Sequence, residues 1–407
     1  MNKLIIVGNG FDLAHGLPTS YQDFVDDFWK NLRENLEKGI TKRIVTINCA
    51  DYNLFDYGKT EVKCFSDFVE HLKFYCANHK LHIDTEYLTV KDKNNSIIFS
   101  FENELFRLLS NTSITNWCTV EKQYYEILKS LVFEEKNCYQ KGIQTLNKEF
   151  EDIKLLLQDY LKKNVVDAFD FTDTPIGNEE ILRFFNVKYQ KLNTNPDNQL
   201  FLEFPPEDHE ALIQDDNELT SKIGQRPHSL FLDFNYTPTV SNYVKQINSR
   251  NETHYGKTSV IKIHGEIGSE ENSIKIGYGD EMDEDYKKIE NTPDDYYINN
   301  IKSFQYMHNS NYKKLINWIE TRKFQVFIFG HSCGLSDRTL LNTIFQNHNC
   351  RSIKIFYHKN ENTDNYTELT HNLSKLFTEK EMMRLKVVDK AICLELPQKI
   401  RFKEKKR

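Results

Sequence analysis

Residues 1–18 read MNKLIIVGNGFDLAHGLP. The apolar run Leu4 to Val7 passes directly into Gly8-Asn9-Gly10, and Gly16-Leu17-Pro18 follows. A strand feeding closely spaced glycines is how α/β proteins bring backbone near a phosphate, with the following helix supplying free N–H groups and a positive dipole end. Leu13 stands where the third glycine of a dinucleotide fingerprint would fall, so the motif is an incomplete one.

The rest of the chain sets bounds on that reading. Its 407 residues can bury a sizeable core, and 39% hydrophobic with 28% charged residues is a globular composition. The net charge of −7 argues against a dedicated nucleic-acid surface. Leu4 to Val7 is too short for a signal peptide, and no apolar run reaches the roughly 18 residues of a membrane span, so a cytoplasmic location and no membrane partner are expected. The eight cysteines are scattered without a C-x-x-C pair, which disfavours a zinc ribbon or a disulfide framework. Cys76, His79 and His82 lack a second paired half, and no metal is expected.

Pattern divides the chain into a first βα unit (1–30), a mainly helical insertion or cap (31–225), the remainder of a Rossmann-like domain (226–398) and a basic tail (399–407). Within the insertion, Ile153, Leu156, Leu157, Tyr160 and Leu161 recur at helical spacing, while Ile44 to Ile47 and Ile97 to Phe101 carry weak β signals. After residue 225, strands are expected at Ser229 to Phe234, Ser259 to Ile263, Ile274 to Tyr278, Gln325 to Phe329 and Ser352 to Tyr357, with helices between several of them. That alternation predicts an α/β fold with a doubly wound, mostly parallel sheet, joined by the N-terminal strand. The tail (Lys399, Arg401, Lys403, Lys405, Lys406, Arg407) reads as a solvated terminus.

Ligands on such sheets bind beyond the carboxyl ends of the strands. Those ends carry Asn235-Tyr236-Thr237, His264-Gly265-Glu266 and Gly330-His331-Ser332 with Asp337. Each has an ordinary structural explanation alone: a cap, a satisfied histidine, a turn. Together at one sheet edge they predict a composite site.

Gly8-Asn9-Gly10-Phe11-Asp12 with Gly16-Leu17-Pro18, Phe234-Asn235-Tyr236, Lys262-Ile263-His264-Gly265 and Gly330-His331-Ser332 resemble, in order, the motifs of sirtuin-like proteins. The opening VGNGFDLAHGLPTSYQDF is similar to that of the AbiH family of bacteriophage abortive infection proteins, and this resemblance spans most of the chain. It implies a sheet of sirtuin type with NAD+ as substrate or ligand, and a role in anti-phage defence through hydrolysis of NAD+ to ADP-ribose and nicotinamide. On that resemblance Asn235 holds a water or ribose hydroxyl and His264 is the general base, histidine being the side chain that titrates near neutral pH. Gly8, Asn9, Gly10, Phe11, Asp12, Pro18, Gly330, His331, Ser332 and Asp337 would surround the nucleotide. The four-cysteine zinc module of the deacylases is absent, which favours hydrolysis. Asp12 replaces the small serine of the sirtuin turn, and Thr237 an acidic residue. Trp117 and Glu121 resemble a Trp-centred motif of AbiH proteins and are expected in the insertion core, with Glu121 weighed as a site contact. The alternatives are a non-catalytic nucleotide sensor signalling to a partner, and a nucleic-acid effector acting through the tail. A phage-derived trigger and a second copy of the chain are the other partners considered.

Overall fold

The computed structural model describes residues 1–58, 60–111, 116–134, 139–185, 199–214, 227–250, 257–292 and 295–405. Cys138, Lys406 and Arg407 lie outside the described residues. Six strands, β1 (Asn2–Val7), β2 (Ser229–Asp233), β3 (Thr258–Lys262), β4 (Phe324–Phe329), β5 (Cys350–Tyr357) and β6 (Leu394–Glu395), form one sheet in the order 6-5-4-1-2-3. Every pairing is parallel, with Val7 level with Phe329 on one side and Asp233 on the other.

The strands read as continuous apolar runs because both faces are covered. Leu4 and Ile6 point with Leu230, Leu232, Val326, Ile328, Ile353 and Ile355 into one core, closed by helices Asn311–Ile319, Arg338–Phe345 and Tyr366–Leu376. Ile5 and Val7 point with Phe231, Phe327, Phe329 and Phe356 into the other, closed by helices Asn9–Ala14, Glu179–Phe185 and Thr239–Ser249. This second face is aromatic, and Phe329 and Phe356 stack with ring centres 4.1 Å apart.

The chain forms two compact units. The first holds Met1–Pro18, Lys162–Asn291 and Asn300–Arg407, and hence the whole six-stranded sheet. The second holds Thr19–Leu161 and Thr292–Asn299. It starts at helix Tyr21–Lys30, whose Ser20 and Asp23 form a reciprocal capping box. Helices Trp117–Glu134 and Tyr139–Leu161 belong to it, as does a four-stranded antiparallel sheet of Val45–Ile47, Ile97–Phe101, Thr89–Lys91 and Ile83–Asp84.

Two expectations are corrected. Ile274 to Tyr278 is not a strand: Lys275 N–H donates to the His264 carbonyl and Tyr278 N–H to that of Asn300, so its backbone is spent on loops. The tail is not a loose terminus, because Arg401 and Glu404 pair antiparallel with Ile176 and Phe169. Arg401 also donates to the Ala14 carbonyl at 2.9 Å, satisfying the C-terminal end of helix Asn9–Ala14, and Phe402 is buried against His15.

Candidate functional site

The strand order reverses at β1, and the exits of β1 and β4 interlock there. A Cβ on Gly8 would lie 2.5 Å from His331 Cα, and one on Gly330 2.2 Å from the Phe11 nitrogen. Gly330 has φ +66°, the left-handed region that glycine adopts without strain. Gly8 N–H donates to the Phe329 carbonyl, Gly10 N–H to that of Gly330 at 2.8 Å, and Phe11 N–H to that of Gly8. The glycines therefore admit one backbone to another, and the amides of residues 8, 10 and 11 already have partners within the chain.

At the exits of β2 and β3 a buried ion pair sets the next loop. Asp233 and Lys262 are register partners on adjacent strands, with Lys262 Nζ 3.0 Å from Asp233 Oδ2. Lys262 also donates to the Thr237 carbonyl, and Asp233 Oδ1 accepts from the Asn235 N–H. Burial pushes the Asp233 carboxyl up, and Lys262 pulls against it. Asn235 Nδ2 donates to the Gly8 carbonyl at 3.1 Å, which ties the Asn loop to the glycine turn. Thr237 Oγ1 donates to Asp12 Oδ2 at 2.7 Å. The other oxygen of Asp12, Oδ1, is buried and makes no hydrogen bond among the described residues. Burial raises Asp12 to about 7, against the hydroxyls of Thr239 and Thr237.

His264 follows β3 by two residues, so strand alternation places it on the side of Lys262. Its Nε2 lies 3.0 Å from Asp337 Oδ1 and 3.1 Å from the Tyr306 hydroxyl. Asp337, in the turn Leu335–Asp337 after β4, also accepts from Lys302 Nζ at 2.9 Å, and the Lys302 side chain is only 1% exposed. Burial opposes ionisation of Asp337, but Lys302 and His264 outweigh it and hold the carboxyl well below the usual carboxylate range. His331 Nε2 stands 3.7 Å from Asp337 Oδ2, while its Nδ1 accepts the Cys333 N–H at 3.0 Å. Burial lowers His331 to about 4, against the pull of Asp337, so the ring is neutral. Phe234 meets both imidazoles edge-on, at 4.8 Å for His264 and 4.3 Å for His331.

Asn235, His264, His331 and Asp337 thus gather with Gly8 to Asp12 and Gly330 at the carboxyl edge of one sheet. Ser332 is exposed there, and its carbonyl accepts from Asn372. A cavity of about 270 Å³, bordered by Gly10, Gly330, His331, Ser332, His358 and Glu368, opens beyond the ends of β1, β4 and β5. A narrower one of about 170 Å³ reaches Asp337, Lys302 and Tyr306. Pro18 ends the opening segment, half-buried. Trp117 and Glu121 are residues of the second unit, where the Trp117 indole donates to the Thr19 carbonyl and Glu121 is buried. No group of three metal-ligating side chains converges among the described residues.

Sequence reasoning missed Lys302 and Tyr306 as members of this cluster, and gave no role to Asp233 or Lys262. The last two had a signal, since each is the last residue but one of an expected strand, beside a site motif. Lys302 and Tyr306 had none, lying in a stretch without strand or glycine punctuation.

No curated protein matches the chain. A family model described as "Bacteriophage abortive infection AbiH" matches residues 4–359, which takes in β1 from Leu4, all of β2 to β5 and every residue of the cluster above. The chain belongs to the AbiH family of bacteriophage abortive infection proteins.

Proposed function

We propose that this AbiH protein acts in anti-phage defence as an NAD+ glycohydrolase, with Asn235 and His264 at the reacting centre. The order 6-5-4-1-2-3 is the one used by dinucleotide-binding Rossmann sheets, and the order of the strand-end motifs supports a sirtuin-like version of it. The observation that carries the reading is the His264–Asp337 contact of 3.0 Å, which joins the ends of β3 and β4 into an acid–base pair on the ligand edge.

In the reaction, water attacks C1′ of the nicotinamide ribose. The new C–O bond forms as the C–N glycosidic bond breaks, its electron pair leaves with nicotinamide, and His264 takes the water proton. The oxocarbenium-like character of such a step makes placement of the water decisive, and this is the role of Asn235. One Nδ2 hydrogen is held by the Gly8 carbonyl, which fixes the amide plane and leaves Oδ1 and the second Nδ2 hydrogen to water or ribose. The cavity at the β1 and β4 exits, about 270 Å³, is just under the usual size of a ligand pocket and is bordered by Gly10, Gly330 and His331 rather than by Asn235 or His264, so in this reading it takes the part of the dinucleotide away from the reacting ribose.

A second reading is a nucleotide sensor without turnover; the internal pairing of the Gly8, Gly10 and Phe11 amides bears on phosphate contact in both readings and favours neither. Chromatography of NAD+ incubated with purified protein, with and without phage lysate, separates the two. The hydrolase reading expects nicotinamide, lost in Asn235→Ala and His264→Ala with the fold intact by circular dichroism. Saturable binding with no nicotinamide under either condition refutes it and supports the sensor.

A further inference from the structure

We infer that Asp337 and Lys302 are positioning residues for His264, fixing its ring proton on Nε2 and leaving Nδ1 as the atom that takes a proton. Asp337 Oδ1 receives two donors at once, His264 Nε2 at 3.0 Å and Lys302 Nζ at 2.9 Å. An ionised carboxylate only accepts, so the nitrogen facing it must carry hydrogen. Lys302 is what keeps that carboxylate ionised in so dry a place, since its side chain is 1% exposed and that of Asp337 9%. Around His264 the titratable groups are Asp337, Lys302 behind it, the Tyr306 hydroxyl at 3.1 Å and neutral His331 on the far oxygen of Asp337. Asp337 is thus the acceptor that dictates the tautomer. When Nδ1 takes a proton the imidazolium stays hydrogen-bonded to Asp337, which remains ionised, in the manner of the carboxylate of a Ser-His-Asp triad. Lys302 touches no reacting atom in this scheme. It acts through Asp337, and Asp337 through His264.

The naming of Nδ1 as the base rests on the hydrolase reading, but the tautomer does not, and it can be read without substrate. In protein labelled with ¹⁵N in the histidine rings, the His264 signal is assigned by its loss in His264→Gln. It is then followed upward in pH until it stops moving. The expected result is a hydrogen-bearing Nε2 and an unprotonated Nδ1. A wild-type His264 with its hydrogen on Nδ1 overturns the proposal, whatever the protein does to NAD+. In Asp337→Asn the position that met both Lys302 Nζ and His264 Nε2 calls for the amide oxygen, so the hydrogen is expected to stay on Nε2 while the negative charge is lost; a hydrogen on Nδ1 there overturns the shared-acceptor geometry. Where nicotinamide release is measurable, Asp337→Asn lowers kcat, because the imidazolium formed when Nδ1 takes a proton no longer has a carboxylate opposite it, with KM for NAD+ little changed. Lys302→Arg restores both tautomer and rate relative to Lys302→Met. Equal behaviour of the two Lys302 variants refutes the part assigned to Lys302.

Discussion

Replacing Gly330 by alanine tests whether the glycines at the strand exits are there to let two backbones cross. The substitution has two components. Alanine at φ +66° pays the left-handed penalty, about 1–2 kcal/mol. Its methyl group would also stand 2.2 Å from the Phe11 nitrogen and 2.5 Å from the Gly10 carbonyl carbon, both backbone atoms that cannot rotate away. Relieving that overlap means parting the exits of β1 and β4, at the cost typical of overpacking, about 1–3 kcal/mol. A less flexible unfolded chain returns about 0.4–1 kcal/mol, leaving a net loss of about 1–5 kcal/mol. Gly268 separates the components, because its φ of +81° carries a similar penalty while nothing lies within 4 Å of its Cβ position. Gly268→Ala should therefore cost less than about 2 kcal/mol. Gly8→Ala, at an ordinary φ of −121°, should show the clash alone, against His331 Cα at 2.5 Å. Urea unfolding followed by circular dichroism reads all three. If Gly330→Ala is no more destabilising than Gly268→Ala, the crossing is not what the glycines serve.

Lys262→Met leaves Asp233 buried without its counter-charge and should cost about 3–5 kcal/mol, while Lys262→Met with Asp233→Leu should recover most of that; a double variant as unstable as the single one argues against the pair. Asp12 in the fold sits near 7, chiefly through burial, above the roughly 3.9 of an unfolded aspartate, so between those values the folded chain holds the extra proton and stability falls as pH rises. The slope approaches about 1.4 kcal/mol per pH unit, and Asp12→Asn should lack it, so urea midpoints of the two proteins that run parallel from pH 4 to 7 would contradict the assignment. Removing residues 399–407 takes away the pairing with residues 169–176, the Arg401 bond to Ala14 and the buried Phe402 ring. Loss of such a ring alone costs about 3–5 kcal/mol, so the calorimetric midpoint should fall clearly, and an unmoved midpoint would return the tail to the status of a loose terminus.

Much of the sheet was legible because parallel strands buried on both faces write themselves as unbroken apolar runs. Ser229 to Phe234 and Gln325 to Phe329 were each placed to within a residue of β2 and β4. Leu394–Glu395 escaped because it has two residues, both exposed, and pairs only with β5. Ile83–Asp84 and Thr89–Lys91 escaped for the same reason of length. Ile274 to Tyr278 failed in the opposite direction: its alternation is that of a strand, but pattern reports which side chains are buried and not where N–H groups find partners. The tail failed because charge suggested solvent, whereas Ile400 and Phe402 between the charges are both buried.

The site was legible to the extent that its members end strands. Asn235 and His264 were found by that rule, and Asp337 by its distance past the Gly-His-Ser turn, although its partners could not be. Lys302 enters from a short helix, Lys302–Gln305, far from any motif, and only the fold brings its ammonium to Asp337. The glycine turn, by contrast, was found for a reason that the geometry divides in two. A phosphate cradle and a backbone crossing demand the same small residues, and here the crossing accounts for Gly8, Gly10 and Gly330 through contacts and hydrogen bonds internal to the chain. The chemical argument therefore shifts away from the most conspicuous motif. It rests on one buried carboxylate that organises two histidines and a lysine, and on an asparagine whose amide the glycine turn holds in place.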